Sequence, residues 1–190
     1  MIAQLTGIVS GVRDGALILC VGGVGYKVHT NAYTLGKSVG DGEITLAIYT
    51  HVREDVLALY GFLEEEELKM FELLISVSGI GPKAALSILS IADVVALQTA
   101  IINEDASILT RVSGVGKKTA DRVVLELKNK VASISEGRQQ QSNQDMDAME
   151  ALIAMGYNVS DARDALKLVS PDVTDVGERV KQALKGLGKK

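Results

Sequence analysis

The sequence predicts a multidomain α+β protein, with a small β-barrel first and helices after it. Three observations lead there. Residues 1–63 hold five short runs of strand-forming residues broken by glycine or polar turns. A glycine-bearing string occurs twice between residues 64 and 132. A polar, Gln/Ser-rich stretch at 133–145 separates that region from a last segment of helical periodicity at 146–190.

The five runs are IAQLTGIV, ALILCV, GYKVHT, ITLAIYTH and VLALYGF. Gly22, Gly23 and Gly25 suit a tight bend or bulge between two of them. Five short strands in this length suit a small barrel, with the OB type the leading candidate. NAYTLGKS is expected to be a short helix or loop between the third and fourth strands.

At residue 64 the pattern changes. EEEELKMFELLISV predicts a helix whose opening glutamates match the positive end of its dipole, with Leu68, Phe71, Leu74 and Ile75 as its apolar stripe. PKAALSIL predicts a second, with Pro82 in the first turn, where a missing N–H costs nothing. Ser90 and Asp93 are expected to cap a third, through Ile102. Asn103 is expected to cap a fourth, EDASILTRV, and KKTADRVVLELKNKVA predicts a long fifth.

The repeated strings are SGIGPKAA at 78–85 and SGVGKKTA at 113–120. Gly79 aligns with Gly114, Gly81 with Gly116, Lys83 with Lys118 and Ala85 with Ala120, all at one offset. Each copy predicts helix, tight Gly-x-Gly turn, helix: a helix-hairpin-helix motif with a lysine in the first turn of its second helix. The open end of a helix leaves N–H groups unpaired and carries the positive end of the dipole, which suits a phosphate. A lone Gly-x-Gly is more simply a helix cap. Two in register reverse that weighting, and Lys117, Lys118, Thr119 and Arg122 strengthen the second. The expected phosphate-binding set is Gly79, Gly81, Lys83, Gly114, Gly116, Lys117, Lys118, Thr119 and Arg122. Backbone amides read phosphate without reading bases, so binding independent of base sequence is expected.

Residues 133–145, SISEGRQQQSNQD, have almost nothing to bury and read as a flexible linker. Beyond it, Met149, Leu152 and Ile153 form one helical face, Ser160 is expected to cap a second helix and Thr174 a third. Three short helices make a small, UBA-like bundle. Met155-Gly156-Tyr157 joins the first two. It serves equally as a helix cap with two core side chains or as a loop that anchors a partner.

Composition narrows the function. Hydrophobic residues make up 47% of the chain, enough for a core, and the net charge is −4. Bulk attraction therefore does not hold nucleic acid here, and binding must come from local features. Cys20 is the only cysteine and His29 and His51 the only histidines, so neither an intrachain disulfide nor an ordinary zinc site is expected. No apolar run approaches bilayer length and the N-terminus reads as a strand, so a cytoplasmic location and no membrane partner are expected. Aromatics are 4% with no Trp, which argues against a stacking platform for single strands. Gly36-Lys37-Ser38 ends like a P-loop, but Asn31 stands where its first glycine belongs, and Gly116-Lys117-Lys118 lacks the final hydroxyl. No nucleotide-hydrolysis site, catalytic residue, metal or cofactor is expected.

Glu54 and Asp55 fall between the fourth and fifth strands, at an expected hairpin tip. An acidic turn is ordinarily just solvated. On a DNA-binding face, its charge would repel phosphates within about 8 Å and hold strands apart. An acid pair also suits a catalytic metal, but no third ligand lies close in sequence.

Together with HVREDVLALYGF, SGIGPKAA and SGVGKKTADRVVLELK, the order of barrel, paired motifs, polar linker and bundle resembles the RuvA family over essentially the whole chain. The resemblance implies a non-catalytic subunit of a branch-migration machine that binds Holliday junctions in recombination and DNA repair. It implies four-fold tetramers, sometimes paired as octamers, around an open four-way junction. The paired motifs would hold the minor-groove side of each arm, and Glu54 and Asp55 would be the acidic pin at the crossover. The terminal bundle would engage RuvB, a hexameric ATPase motor, with Leu152, Met155, Tyr157 and Leu184 as the residues to look at. The resolvase RuvC would be a further partner. Two other readings stay open: a structure-selective nuclease or glycosylase, and a protein–protein adaptor whose hairpins are purely structural.

Overall fold

The computed structural model describes residues 1–40, 42–170 and 173–187, with residues 134–143 described for their backbone alone. The chain divides into two compact units, Met1–Val131 and Ala132–Lys190.

The first unit begins with the expected barrel. Its strands are β1 (Gln4–Arg13), β2 (Ala16–Val21), β3 (Val24–His29), β4 (Glu43–Val52) and β5 (Leu57–Phe62), with helix α1 (Ala32–Ser38) between β3 and β4. They close in the order β1-β2-β3-β5-β4. The β3–β5 pair is parallel, and the other four pairs are antiparallel. Alternation turns Leu5, Leu17, Leu19, Val28, Ile44, Leu46, Ile48 and Leu59 inward as one apolar core. Asn31 caps α1 by accepting from the Thr34 amide at 2.8 Å.

The helices that follow are α2 (Glu65–Ile75), α3 (Pro82–Ile91), α4 (Val94–Ile102) and α5 (Lys117–Ala154), with a single 3-10 turn at Leu109–Arg111. That turn replaces the helix expected over EDASILTRV. Asn103 ends α4 rather than opening a new helix, and Glu104 follows at φ +58°. Asp105 then accepts from the Ser107 amide, a local bond that competes with helix continuation. Asp93 caps α4 as expected, but Ser90 does not: its hydroxyl donates to the Leu86 carbonyl and accepts from the Ala32 amide.

The barrel and the helices that follow residue 63 pack into one compact unit. The reason is an aromatic seam. Phe71 of α2 is fully buried, with ring centroids 5.1 Å from Phe62, 5.3 Å from Tyr60 and 5.5 Å from Tyr49. Burying such a ring is worth about 2–3 kcal/mol. Asn31 adds a buried bond, donating to the Glu67 carboxylate at 2.6 Å.

The predicted flexible linker at 133–145 has a helical backbone, because α5 runs unbroken from Lys117 to Ala154. The segment lacks an apolar stripe but also lacks proline, and a helix nucleated elsewhere propagates cheaply through Glu, Arg and Gln. In the second unit, the end of α5 packs with α6 (Val159–Lys167) and α7 (Val176–Leu187) around Ala148, Leu152, Ala162, Ala165, Leu166, Val169 and Ala183. The caps are Asn158 for α6, which accepts from the Asp161 amide, and Asp175 for α7, which accepts from the Glu178 amide. These replace the expected Ser160 and Thr174. Arg179 is 1% exposed; it is bonded to Asp145 and donates to the Val173 carbonyl at 2.6 Å. One guanidinium thus ties α5, α7 and the loop between α6 and α7.

Candidate nucleic-acid interface

The two hairpins are built by apolar side chains at matching positions. Leu74, Val77, Ile80, Ala85, Ile88 and Leu89 of the first copy match Leu109, Val112, Val115, Ala120, Val123 and Val124 of the second, and all twelve are buried in one core. Each turn closes alike: the Ile80 amide donates to the Val77 carbonyl at 3.1 Å, and the Val115 amide to the Val112 carbonyl at 3.0 Å. Gly79 at φ +96° and Gly114 at φ +87° occupy the left-handed region that closes each turn.

Gly81 and Gly116 then start the second helices. A Cβ on either would meet nothing within 4 Å, so the chain's own packing leaves these positions open to a ligand's close approach. No side chain caps α3, and Pro82 occupies its first turn, so the Lys83 and Ala84 amides lie at an open helix end. Lys83, Lys117 and Lys118 are exposed. Among the described residues, none of the three is within ion-pair distance of a carboxylate.

The hairpins also touch each other. Arg122 of α5 donates from Nη1 to the Ser78 carbonyl of the first turn at 3.2 Å. A Cβ on Gly79 would stand 3.5 Å from Thr119 Cγ2, which places the Thr119 side chain beside the first turn. Thr119 and Arg122 therefore hold the two turns in fixed relation, a role that sequence spacing did not reveal because the contact crosses between copies. On the far side, Lys128 pairs with Glu104, and this holds the Glu104 carboxyl below its usual range while tying α5 to the turn after α4.

Glu54 and Asp55 sit at the tip of the β4–β5 hairpin, both exposed. The Arg53 amide donates to the Val56 carbonyl at 2.8 Å and closes the tip beneath them. Val52 and Leu57 on its flanks are 67% and 76% exposed. Among the described residues, no group of three or more His, Cys, Asp or Glu side chains is placed to hold a metal ion. No single helix there is long and apolar enough to cross a membrane.

The proposed docking residues divide. Met155 is 58% exposed, while Tyr157 and Leu184 are half-buried against the bundle core. Leu152 is wholly buried and offers no surface, because it faces inward from α5 as part of that core. Leu168, which spacing did not single out, is 81% exposed.

A closed five-stranded barrel continuous with two matched, lysine-bearing hairpins defines a tandem helix-hairpin-helix protein. Comparison with known families agrees along the chain. Residues 1–61 match the RuvA N terminal domain, 71–129 the SAM-like helix-hairpin-helix tandem, and 146–188 the RuvA C-terminal domain. The chain is 39% identical to the Holliday junction branch migration complex subunit RuvA of Acetivibrio thermocellus, over the full length of both. It is 41% identical to that of Caldanaerobacter subterraneus subsp. tengcongensis and 42% to that of Thermoanaerobacter pseudethanolicus, again over the full length of both. The chain belongs to the RuvA family.

Proposed function

We propose that this protein is a non-catalytic scaffold that binds four-way DNA junctions without regard to base sequence. It acts as a tetramer that holds the junction open and recruits a RuvB-type ATPase motor. The observation that carries the reading is the pair of matched turns, each followed by a helix that begins with exposed lysine, the first of them uncapped by any side chain, and the two linked by Arg122. Each chain supplies two phosphate clamps, so a four-fold assembly supplies eight along four arms. With log K falling by about 0.9 per neutralised phosphate for each decade of salt, eight contacts give a slope near −7. Preference for a junction comes from geometry, since a linear duplex does not fill four sets of clamps at once. The acidic tip repels phosphate at the crossover, and the terminal bundle reaches the motor through Met155, Tyr157 and Leu184.

Light scattering of the protein on a four-way junction with Mg²⁺ present tests this. A closed assembly of four or eight chains on intact DNA is expected. A single chain per junction, or sustained cleavage, overturns it.

A further inference from the structure

The outer face of the barrel carries a cluster that neither the clamps nor the acidic tip accounts for. His29 on β3 lies opposite Tyr60 on β5, and Tyr60 lies opposite Tyr49 on β4. His51 is two residues further along β4, on the same face. The rings form a continuous set: His29 to Tyr60 at 5.5 Å, Tyr60 to His51 at 6.2 Å and His51 to Tyr49 at 6.2 Å between centroids. Its inner end is buried on Phe71. Its outer end follows β4 toward Arg53 and the Glu54–Asp55 tip. His29 and His51 are half-buried. These are the chain's only two histidines, and both lean on one tyrosine.

The position of the cluster matters. The residues after β3 are tied to α3, since the Ala32 amide donates to Ser90 Oγ at 3.1 Å. That bond is at the far end of α3 from Lys83, but the charge of Lys83 still acts on His29, and His51 stands two residues before Arg53 near the end of β4, so the cluster neighbours both the first clamp and the acidic tip. We propose that His29, supported by Tyr60 and His51, is a further contact for the DNA backbone, neighbouring the Lys83 clamp and the Glu54–Asp55 tip. This rests on the DNA-binding reading above and adds a contact to it.

The charges facing the cluster support an anionic ligand. Burial depresses the His29 pKa below 6.5, and Lys27 and Lys83 depress it further. Lys27, on the same strand, is paired with Asp14 at 2.8 Å. Lys83 approaches from α3. From β5 comes Tyr60, whose phenol is pushed up by burial and opposed by Arg53. The nearest buried carboxylate, Glu67 on α2, is committed to Asn31 and Thr34. Among the described residues, the charges that act on the ring are thus those of Lys27 and Lys83. A phosphate there screens Lys83, favours the imidazolium and accepts its N–H. Binding then takes up a proton, and affinity rises as pH falls through the His29 range.

The test is a proton NMR titration of the two imidazoles in the full-length protein, free and bound to a four-way junction, with His29→Gln to assign the signals. In parallel, junction affinity is measured at pH 8 and pH 6 for the wild type and for His29→Gln. The His29 midpoint should move up on binding. The wild type should gain about threefold more than the variant between pH 8 and pH 6. An unmoved midpoint, or equal gains, overturns the proposal. If the protein still prefers the junction in that case, the DNA-binding reading stands without this contact. A variant with Lys117 and Lys118 changed to alanine tells that reading's failure apart, since neither lysine acts on His29: a weaker salt dependence of junction binding supports the DNA-binding reading whatever His29 does, and an unchanged one overturns it.

Discussion

Arg122 Nη1 reaches the Ser78 carbonyl at 3.2 Å, so a side chain from the second hairpin completes the backbone of the first. The two hairpin turns, proposed above as phosphate clamps, are mechanically linked. Arg122→Ala should therefore weaken junction and duplex binding together, by about fivefold, and cost about 1 kcal/mol of stability. Affinity and a chemical melt of the same variant check this. A melt unchanged from wild type removes the positioning role.

The glycines separate by role. Gly79→Ala should destabilise by roughly 1–2 kcal/mol, because an alanine at φ +96° is strained while Thr119 stands at ordinary contact distance. Gly81→Ala should cost less than about 1 kcal/mol, since its Cβ meets open space, yet it should weaken DNA binding by obstructing close approach to a phosphate. Equal effects of the two variants on both measurements would contradict this division.

Each of Lys83, Lys117 and Lys118, when changed to alanine, is lost from all four chains of the assembly and should lower the salt slope of junction binding by up to about 3.6, with affinity falling equally across base sequences. An unchanged slope takes that lysine out of the contact set.

The tip predicts a different outcome. Glu54→Gln with Asp55→Asn should keep or tighten junction binding, because repulsion is removed, while strand separation at the crossover declines. A fluorescent base analogue beside the crossover reports that separation. Loss of binding instead would mean that the acids act by another route.

His29 also makes the free protein sensitive to pH. Its folded pKa lies below its unfolded one near 6.5, so the unfolded chain binds the proton first. This contribution to stability is present above pH 6.5 and is lost as pH falls toward the depressed folded value. His29→Gln should flatten that part of the stability profile, as denaturant melts between pH 7.5 and pH 5.5 would read.

Much of this was legible in the sequence because it is repetitive or periodic. The five strands show in their composition and turns, and the paired hairpins show because one string occurs twice. What stayed hidden depends on contacts between distant segments. Phe71 reads as one more residue in an apolar stripe, and only the fold brings Tyr49, Tyr60 and Phe62 around it to merge barrel and helices. Arg179 looks like a solvated charge on α7, and becomes the buried tie of the bundle because Asp145 and the Val173 carbonyl meet it. Cap positions slipped by one or two residues, Asn158 for Ser160 and Asp175 for Thr174, since neighbouring residues were all competent and packing chose among them. The helical backbone of the polar segment at 133–145 was not legible because its composition lacks an apolar stripe, and helix there continues from one nucleated before it.

The central claim is that two locked, sequence-blind clamps per chain select DNA by the geometry of their assembly. Affinity for a four-way junction against a duplex of one arm's length, each measured across a range of salt, tests it most directly. Far tighter junction binding with a slope near −7 is expected, and a shallower slope for the duplex. Equal affinities and equal slopes for the two DNAs would contradict it.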